Sequence, residues 1–274
     1  MKFGISTYLT DETMDPVELG RAVEERGFDS LFIAEHSHVP VGSESQFGSP
    51  YLPPGTYRTL APFVALAAAA AVTEKILLGT SIALMIQRDP IHTAKELATL
   101  DLISHGRTVF GVGVGWNRSE MSNHGTDPTT RGALLNEQIR AIREIWTHEH
   151  AEFHGTYVNF DPIISWPKPV QQPLPIYIGG EGQHAQRRAA SLGDGWLPSS
   201  YQLPDNLADV IAAMRDTAGR DIPVTIHGEF NENPPIGTYR EAGVERVLFQ
   251  LMDQPRDEAL THLDILTTRA NSFR

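Results

Sequence analysis

The chain has 274 residues, 41% of them apolar and 20% charged, an ordinary globular composition that excludes a disordered, collagen-like or coiled-coil protein. It has no cysteine, so disulfides, thiolate metal sites, iron–sulfur clusters and cysteine nucleophiles are excluded. Its net charge of −12 argues against nucleic acid or an anionic membrane surface as a partner and leaves room only for a local basic pocket.

The start, Met1-Lys2-Phe3-Gly4-Ile5-Ser6, reads as a strand rather than as the basic and apolar regions of a signal peptide. The most apolar stretch, 61–72, is shorter than the ~20 residues a membrane span needs, and Thr73-Glu74-Lys75 closes it. A cytoplasmic protein is expected.

Short β-rich runs then alternate with helical patterns to the end of the chain. Strands are predicted at 2–6, 30–34, 76–83, 108–114, 175–178, 195–198, 224–227 and 246–251. Asp15-Pro16 opens the first helix as N-cap and first helical residue, and Gly27 stops it. Pro90 starts a helix with the stripe Ile91, Ala94, Ala98 and Leu102. Leu135, Ile139, Ile142 and Trp146 mark another, and Ala259, Leu263, Leu266 and Ala270 the last.

Eight strands, each followed by a helix or room for one, point to a parallel sheet. Closing eight into a barrel suits ~250 residues. A doubly wound open sheet would place a glycine-rich turn after the first strand, and Ser6-Thr7-Tyr8-Leu9-Thr10 contains none. One (β/α)8 TIM-type barrel domain over residues 1–274 is expected. Its insertions follow strands and so belong at the C-terminal face: 41–58, with Phe47, Tyr51 and Tyr57, and 117–131. A third insert, 151–173, contains a hairpin-like run.

Three places could carry chemistry. The second strand ends in Glu35-His36-Ser37-His38. A His-X-His pair could ligate a metal, but apart from His227 the later strand ends offer only Trp116, Gly179, Pro198 and Gln250. A metal-dependent hydrolase is therefore the weaker alternative, beside two merely satisfied polar side chains or a cofactor-facing His36. No metal is expected. Next, Gly111, Gly113 and Gly115 alternate and leave one strand face bare, either for tight packing or for a flat ring on the strand ends. Last, Gly179-Gly180 turns into a helix, where free backbone N–H groups can receive a phosphate. A plain tight turn is the competing account, and Glu181 stands against an anion.

Taken together, these residues resemble the bacterial luciferase-like monooxygenase superfamily, and within it the deazaflavin (coenzyme F420)-dependent oxidoreductases. The resemblance spans nearly the whole chain. It rests on Gly27-Phe28-Asp29-Ser30-Leu31-Phe32-Ile33-Ala34-Glu35-His36, on Ile76-Leu77-Leu78-Gly79-Thr80-Ser81-Ile82, and on the run from Pro90 to Asp101 continuing through Ser104-His105-Gly106-Arg107 to Trp116. Pro167-Lys168-Pro169-Val170-Gln171, Gly179-Gly180 and Gly193-Asp194-Gly195-Trp196 complete it.

The resemblance implies a barrel that holds F420, or alternatively FMN, at its C-terminal face. It implies that Glu35 and His36 line the ring pocket, His36 exchanging a proton and Glu35 positioning the imidazole or a ring contact. Histidine suits that task because its ordinary titration lies near neutrality. The Ser81–Ile82 bond would be cis and prop the ring. Val114, Gly115, Trp116 and Asn117 would border the cofactor, Gly179 and Gly180 would take its phosphate, and Arg88 would help on the phosphate or acidic tail. The aromatic loop from Phe47 to Tyr57 would cover a small organic substrate. Trp116 replaces the carboxylate of the sugar-phosphate-oxidising branch, so glucose 6-phosphate is not the expected substrate. Rival functions are an FMN-dependent monooxygenase and a non-catalytic cofactor-binding barrel. A homodimer is expected from the resemblance and from the alanine-rich run 65–71.

Overall fold

Strand and helix alternate as the sequence predicts. The computed structural model describes every residue except Gln46, Phe47 and Pro50. In chain order the elements begin with β1 (Lys2–Thr7), α1 (Pro16–Glu25), β2 (Ser30–Ile33), α2 (Pro54–Tyr57), α3 (Pro62–Ala70), β3 (Leu77–Thr80), α4 (Pro90–Ile103) and β4 (Thr108–Val112). There follow α5 (Arg118–Asn123), α6 (Arg131–Thr147), β5 (Ala151–His154), β6 (Asn159–Ile163), β7 (Ile176–Gly179) and α7 (Gln183–Ser191). The last are β8 (Gly195–Leu197), α8 (Leu207–Ala218), β9 (Thr225–Glu229), α9 (Ile236–Glu241), β10 (Arg246–Leu251) and α10 (Arg256–Phe273).

Eight strands form one parallel sheet in the order β8-β7-β4-β3-β2-β1-β10-β9. Isolated parallel bridges, Trp196 to Val224 and Ser199 to His227, join its two edges and close the barrel. The two remaining strands, β5 and β6, form the antiparallel hairpin of the 151–173 insert. Glu137 on α6 holds its turn by accepting from the N–H groups of Thr156, Tyr157 and Val158. Among the described residues no helix is long and apolar enough to cross a membrane.

The pleat sorts the strand residues. Phe3, Ile5, Leu31 and Ile33 face the helices, whereas Phe32, Val109, Tyr177, Leu197 and Leu248 fill the lumen. Glycines make room for these large side chains. A Cβ on Gly79 would stand 2.4 Å from Phe32, and one on Gly195 2.6 Å from Tyr177.

The N-terminal end of the barrel is held by polar side chains. Arg107 is buried, and its guanidinium donates to the carbonyls of Ala70, Thr73, Ile76 and Ser104 and to Thr73 Oγ1. Asp101 accepts from Gln171 N and Nε2 at 2.8 and 2.7 Å. The alanines of α3 work within the chain. Ala65, Ala69 and Ala70 are buried, and a Cβ on Gly20 of α1 would lie 3.1 Å from the Ala69 methyl.

Candidate active site

All loops that follow strands of a parallel barrel emerge at one end, and the candidate site is built there. The end of the 41–58 segment lies at the mouth. Its Gly55 N–H reaches Asp253 Oδ2 at 3.0 Å after β10, and Thr59 bridges to Thr10 after β1. Tyr51 and Tyr57 are exposed, while Phe47 lies outside the described residues.

His36 is 8% exposed just beyond β2. Its backbone N–H donates to Thr59 Oγ1 at 3.1 Å, and Thr59 Oγ1 donates back to its carbonyl at 2.7 Å. Its Nδ1 lies 2.8 Å from Glu120 Oε2. Glu120 is 1% exposed, and its other oxygen accepts from Ser37 N at 3.0 Å. Burial pushes the Glu120 carboxyl up, but the His36 hydrogen bond and charge and the Ser37 N–H outweigh it and hold it below the usual range. An ionised Glu120 can only accept, so Nδ1 carries the proton of this bond and Nε2 is the ring nitrogen left outside it. Among the described residues nothing bonds Nε2. Trp116 packs edge-on against the ring at 5.6 Å.

Glu120 joins the candidate site although its place in the sequence does not mark it. Asn117 caps α5, its Oδ1 accepting from Ser119 N and Glu120 N at 3.1 Å. Asn-x-x-Glu before a helix reads as a capping pair. Here the glutamate does not fold back on the cap but reaches His36. Asn117, expected to border the cofactor, therefore also sets the helix that delivers Glu120. Its Nδ2 donates to Ser43 Oγ at 3.3 Å.

Glu35 and His36 are neighbours on extended chain, so their side chains diverge. Glu35 accepts from Leu84 N at 2.7 Å and from Arg88 Nε at 2.9 Å, and Arg88 Nη2 also pairs with it. The imidazole's carboxylate partner is thus Glu120, not Glu35. Arg88 is engaged on both sides, by Glu35 and by Glu96 at 3.2 Å, and lies 4.5 Å above the Phe63 ring. With two carboxylates already matching its charge, it is a poor helper for a phosphate.

The Ser81–Ile82 bond is cis, as the resemblance implies. Ile82 then fills the space that the alternate glycines leave. A Cβ on Gly113 would come within 2.8 Å of Ile82 Cδ1, and one on Gly179 within 2.6 Å of its Cγ2. A Cβ on Gly111 would strike Thr80 O at 1.8 Å. Of the two readings of the alternate glycines, the contacts show the tight packing: the end of β3 lies against that face. Ile82 itself remains half-buried, as do Val114, Gly115 and Trp116.

Gly180 has φ +105°, a region closed to most side chains. Its carbonyl accepts from Trp196 Nε1 at 2.8 Å, which fixes the turn. Glu181 points to Ser199 N at 2.7 Å, and burial pushes its carboxyl up. The N-cap of α7, Gly182, supplies no side-chain acceptor. The first N–H groups of α7 are therefore left for an anion, with the helix dipole behind them.

His36 and His38 do not converge on one point. His38 bonds Ser37 Oγ at 2.9 Å and Asn123 Nδ2 at 2.8 Å. Among the described residues no group of three metal-ligating side chains occurs.

Comparison with known proteins fits this geometry. The chain is 36% identical to an uncharacterized protein of Mycobacterium tuberculosis over 98% of both chains. It is 34% identical to an F420-dependent glucose-6-phosphate dehydrogenase of Nakamurella multipartita, over 73% of this chain and 56% of that one. Among solved structures, an F420-dependent secondary alcohol dehydrogenase superposes with a TM-score of 0.78 at 18% identity, covering 100% of this chain and 99% of that one, which shows the shared fold. A family model described as luciferase-like monooxygenase matches residues 3–230. With that model covering most of its length and these relatives above 30% identity, the chain belongs to the luciferase-like monooxygenase family.

Proposed function

We propose that this protein is an F420-dependent oxidoreductase acting on a small organic substrate. The observation that carries this is the His36–Glu120 pair at 2.8 Å, which leaves one imidazole nitrogen unbonded in the mouth that also holds the glycine turn. The bound deazaflavin would supply hydride transfer at its ring carbon. The chain's residues do the rest. Gly179, Gly180 and the open N-terminus of α7 suit the phosphate. Ile82, Val114 and Trp116 offer half-buried apolar surface to the ring. His36 Nε2 takes or gives the proton, while Glu120 holds the ring's orientation and stabilises the imidazolium form. Glu35 acts at one remove, through Leu84 N, on the segment that carries Ile82.

Titration of the purified protein with F420 and with FMN, followed by fluorescence, tests the reading. Tighter binding of F420 is expected. Binding of FMN alone, with oxygen uptake, would replace it by the monooxygenase reading. Metal analysis of the same sample addresses the hydrolase alternative. The reading includes a homodimer, which sedimentation at micromolar concentration checks.

A further inference from the structure

The mechanism above leaves His227 unused. It sits near the end of β9, where Ile226 and Val224 face the helices and Thr225 and His227 face the lumen. A bulge interrupts the strand at this point. Ile226 pairs with Val247 but Glu229 with Phe249, so β9 carries one extra residue, and Gly228 absorbs it at φ +71°. The bulge returns Glu229 to the helix side, where Tyr239 Oη donates to it at 2.9 Å, and leaves His227 in the mouth.

Neutral residues hold the backbone around His227: Ser199 pairs with it through the main chain, and Ser6 Oγ accepts from Gly228 N at 3.1 Å and donates to Gln250 Oε1 at 3.3 Å. Among the described residues no hydrogen bond or ion pair reaches the imidazole. Burial alone pulls its pKa down to about 4, so it is neutral near pH 7. The side chain nevertheless stays partly accessible. His227 thus stands half-buried at the mouth end of the lumen, within reach of solvent.

The surrounding loops have a charge bias. Segments 8–15, 198–206, 230–235 and 252–255 contain no lysine or arginine, but do contain Asp11, Glu12, Asp15, Asp205, Glu232 and Asp253. Arg58 reaches in from the 41–58 segment and is taken by Asp11 and Glu12 at 2.6 and 2.9 Å. The acidic side chains of these loops disfavour an anionic substrate here.

We propose that His227 is a substrate-binding, specificity-determining residue, and that the substrate is an uncharged hydroxy compound with a second hydroxyl or carbonyl oxygen for the neutral imidazole to hold. This rests on the F420 reading. β9 lies three strands round the wall from β2, with β10 and β1 between, so the second oxygen is anchored across the mouth from His36. In the oxidative direction the substrate's C–H bond breaks with its electron pair passing as hydride to oxidised F420, which is reduced. The O–H proton goes to His36 Nε2, and the C–O bond becomes C=O. His227 exchanges no proton.

The test uses F420-loaded protein with cyclohexane-1,4-diol, cyclohexanol (which lacks the second oxygen) and glucose 6-phosphate, with binding read by saturation-transfer NMR and KM by F420 absorbance. The diol is expected to bind at least tenfold more tightly than cyclohexanol, and glucose 6-phosphate not to compete. His227→Leu should erase the diol preference, mainly in KM, while the F420 Kd moves less than twofold. His227→Gln, which keeps a donor and an acceptor, should restore the preference to within threefold. No diol preference in the wild type, an unchanged preference in His227→Leu, or competition by glucose 6-phosphate overturns the proposal. Failure of F420 to bind would instead strike the cofactor reading, and the same series run on FMN-loaded protein then decides the role of His227.

Discussion

The two sides of the barrel mouth are built by opposite means. On the β3-β4-β7 side the work falls to backbone: a cis bond at Ser81–Ile82, a left-handed glycine at 180, and the uncapped start of α7. On the β9-β10-β1 side it falls to side chains, His227, Gln250 and Ser6, under acidic loops. Backbone N–H groups and a helix dipole suit a phosphate-bearing cofactor, because they attract an anion without a competing counter-charge. Neutral side chains suit discrimination among uncharged compounds, because a hydrogen-bonding group left unpaired by the wrong ligand is costly. His36 and Glu120 stand between the two sides, where both can be served.

Substitutions on each side can break or sharpen that division. The largest effect is expected between the sides. His36→Asn should lower turnover by about a hundredfold or more, the range of one acid–base group, and change F420 affinity only severalfold. Both must be measured on the same variant, since a turnover loss accompanied by lost binding would make His36 a wall of the cofactor pocket.

On the side-chain side, His227 should leave a mark on stability. Its folded-state pKa of about 4 lies below the ordinary 6.5, so the unfolded chain binds more protons between those values. Stability should therefore fall as pH drops from 6.5 towards 4, by about 2 kcal/mol at pH 5. His227→Gln should remove that loss in urea unfolding compared at pH 7 and pH 5. The wild type keeps a further loss below pH ~4.5, where depressed carboxyls such as Glu120 take up protons. An identical slope in the variant would mean that His227 is not buried neutral.

On the backbone side, Gly179→Ala places a methyl 2.6 Å from Ile82 Cγ2. A loss of about 1–3 kcal/mol in stability is expected from overpacking, together with roughly tenfold weaker F420 binding, about 1.4 kcal/mol. Lost stability with intact binding would reduce this glycine to a packing device. The smallest effect is expected for Glu120→Gln. The amide oxygen can still accept from Nδ1, so turnover should fall only severalfold, with an altered pH profile. A loss as large as that of His36→Asn would show that the charge, not the orientation, is what His36 needs.

Much of the barrel is legible in the sequence because alternation and helical stripes are local. Stripes such as Leu135, Ile139 and Ile142 are buried as predicted. The predicted strand 76–83 is cut to Leu77–Thr80 because the chain leaves the sheet at Ser81. The site is less legible. Glu120 looks like the second half of a capping pair, and only the meeting of α5 with the end of β2, 84 residues earlier, gives it another partner. Alternate glycines say that something comes close but not what, and Ile82 and Thr80 O arrive from a different strand. Arg88 reads as a free cation until Glu35, Glu96 and Phe63 are seen around it. The motif that carries much of the resemblance, Asp101 through Arg107 with Gln171, lies at the opposite end from the chemistry.

That far end has a consequence of its own. Arg107 places one positive charge where α3 and α4 both finish, so it answers the negative ends of two helix dipoles and ties them to the start of β3. The barrel thus rests on a keystone that none of the mouth loops touches. Those loops can be treated as cassettes: 41–58, 198–206 or 230–235 can be exchanged for segments of other lengths, and the joint beneath should carry the new mouth as it carries this one.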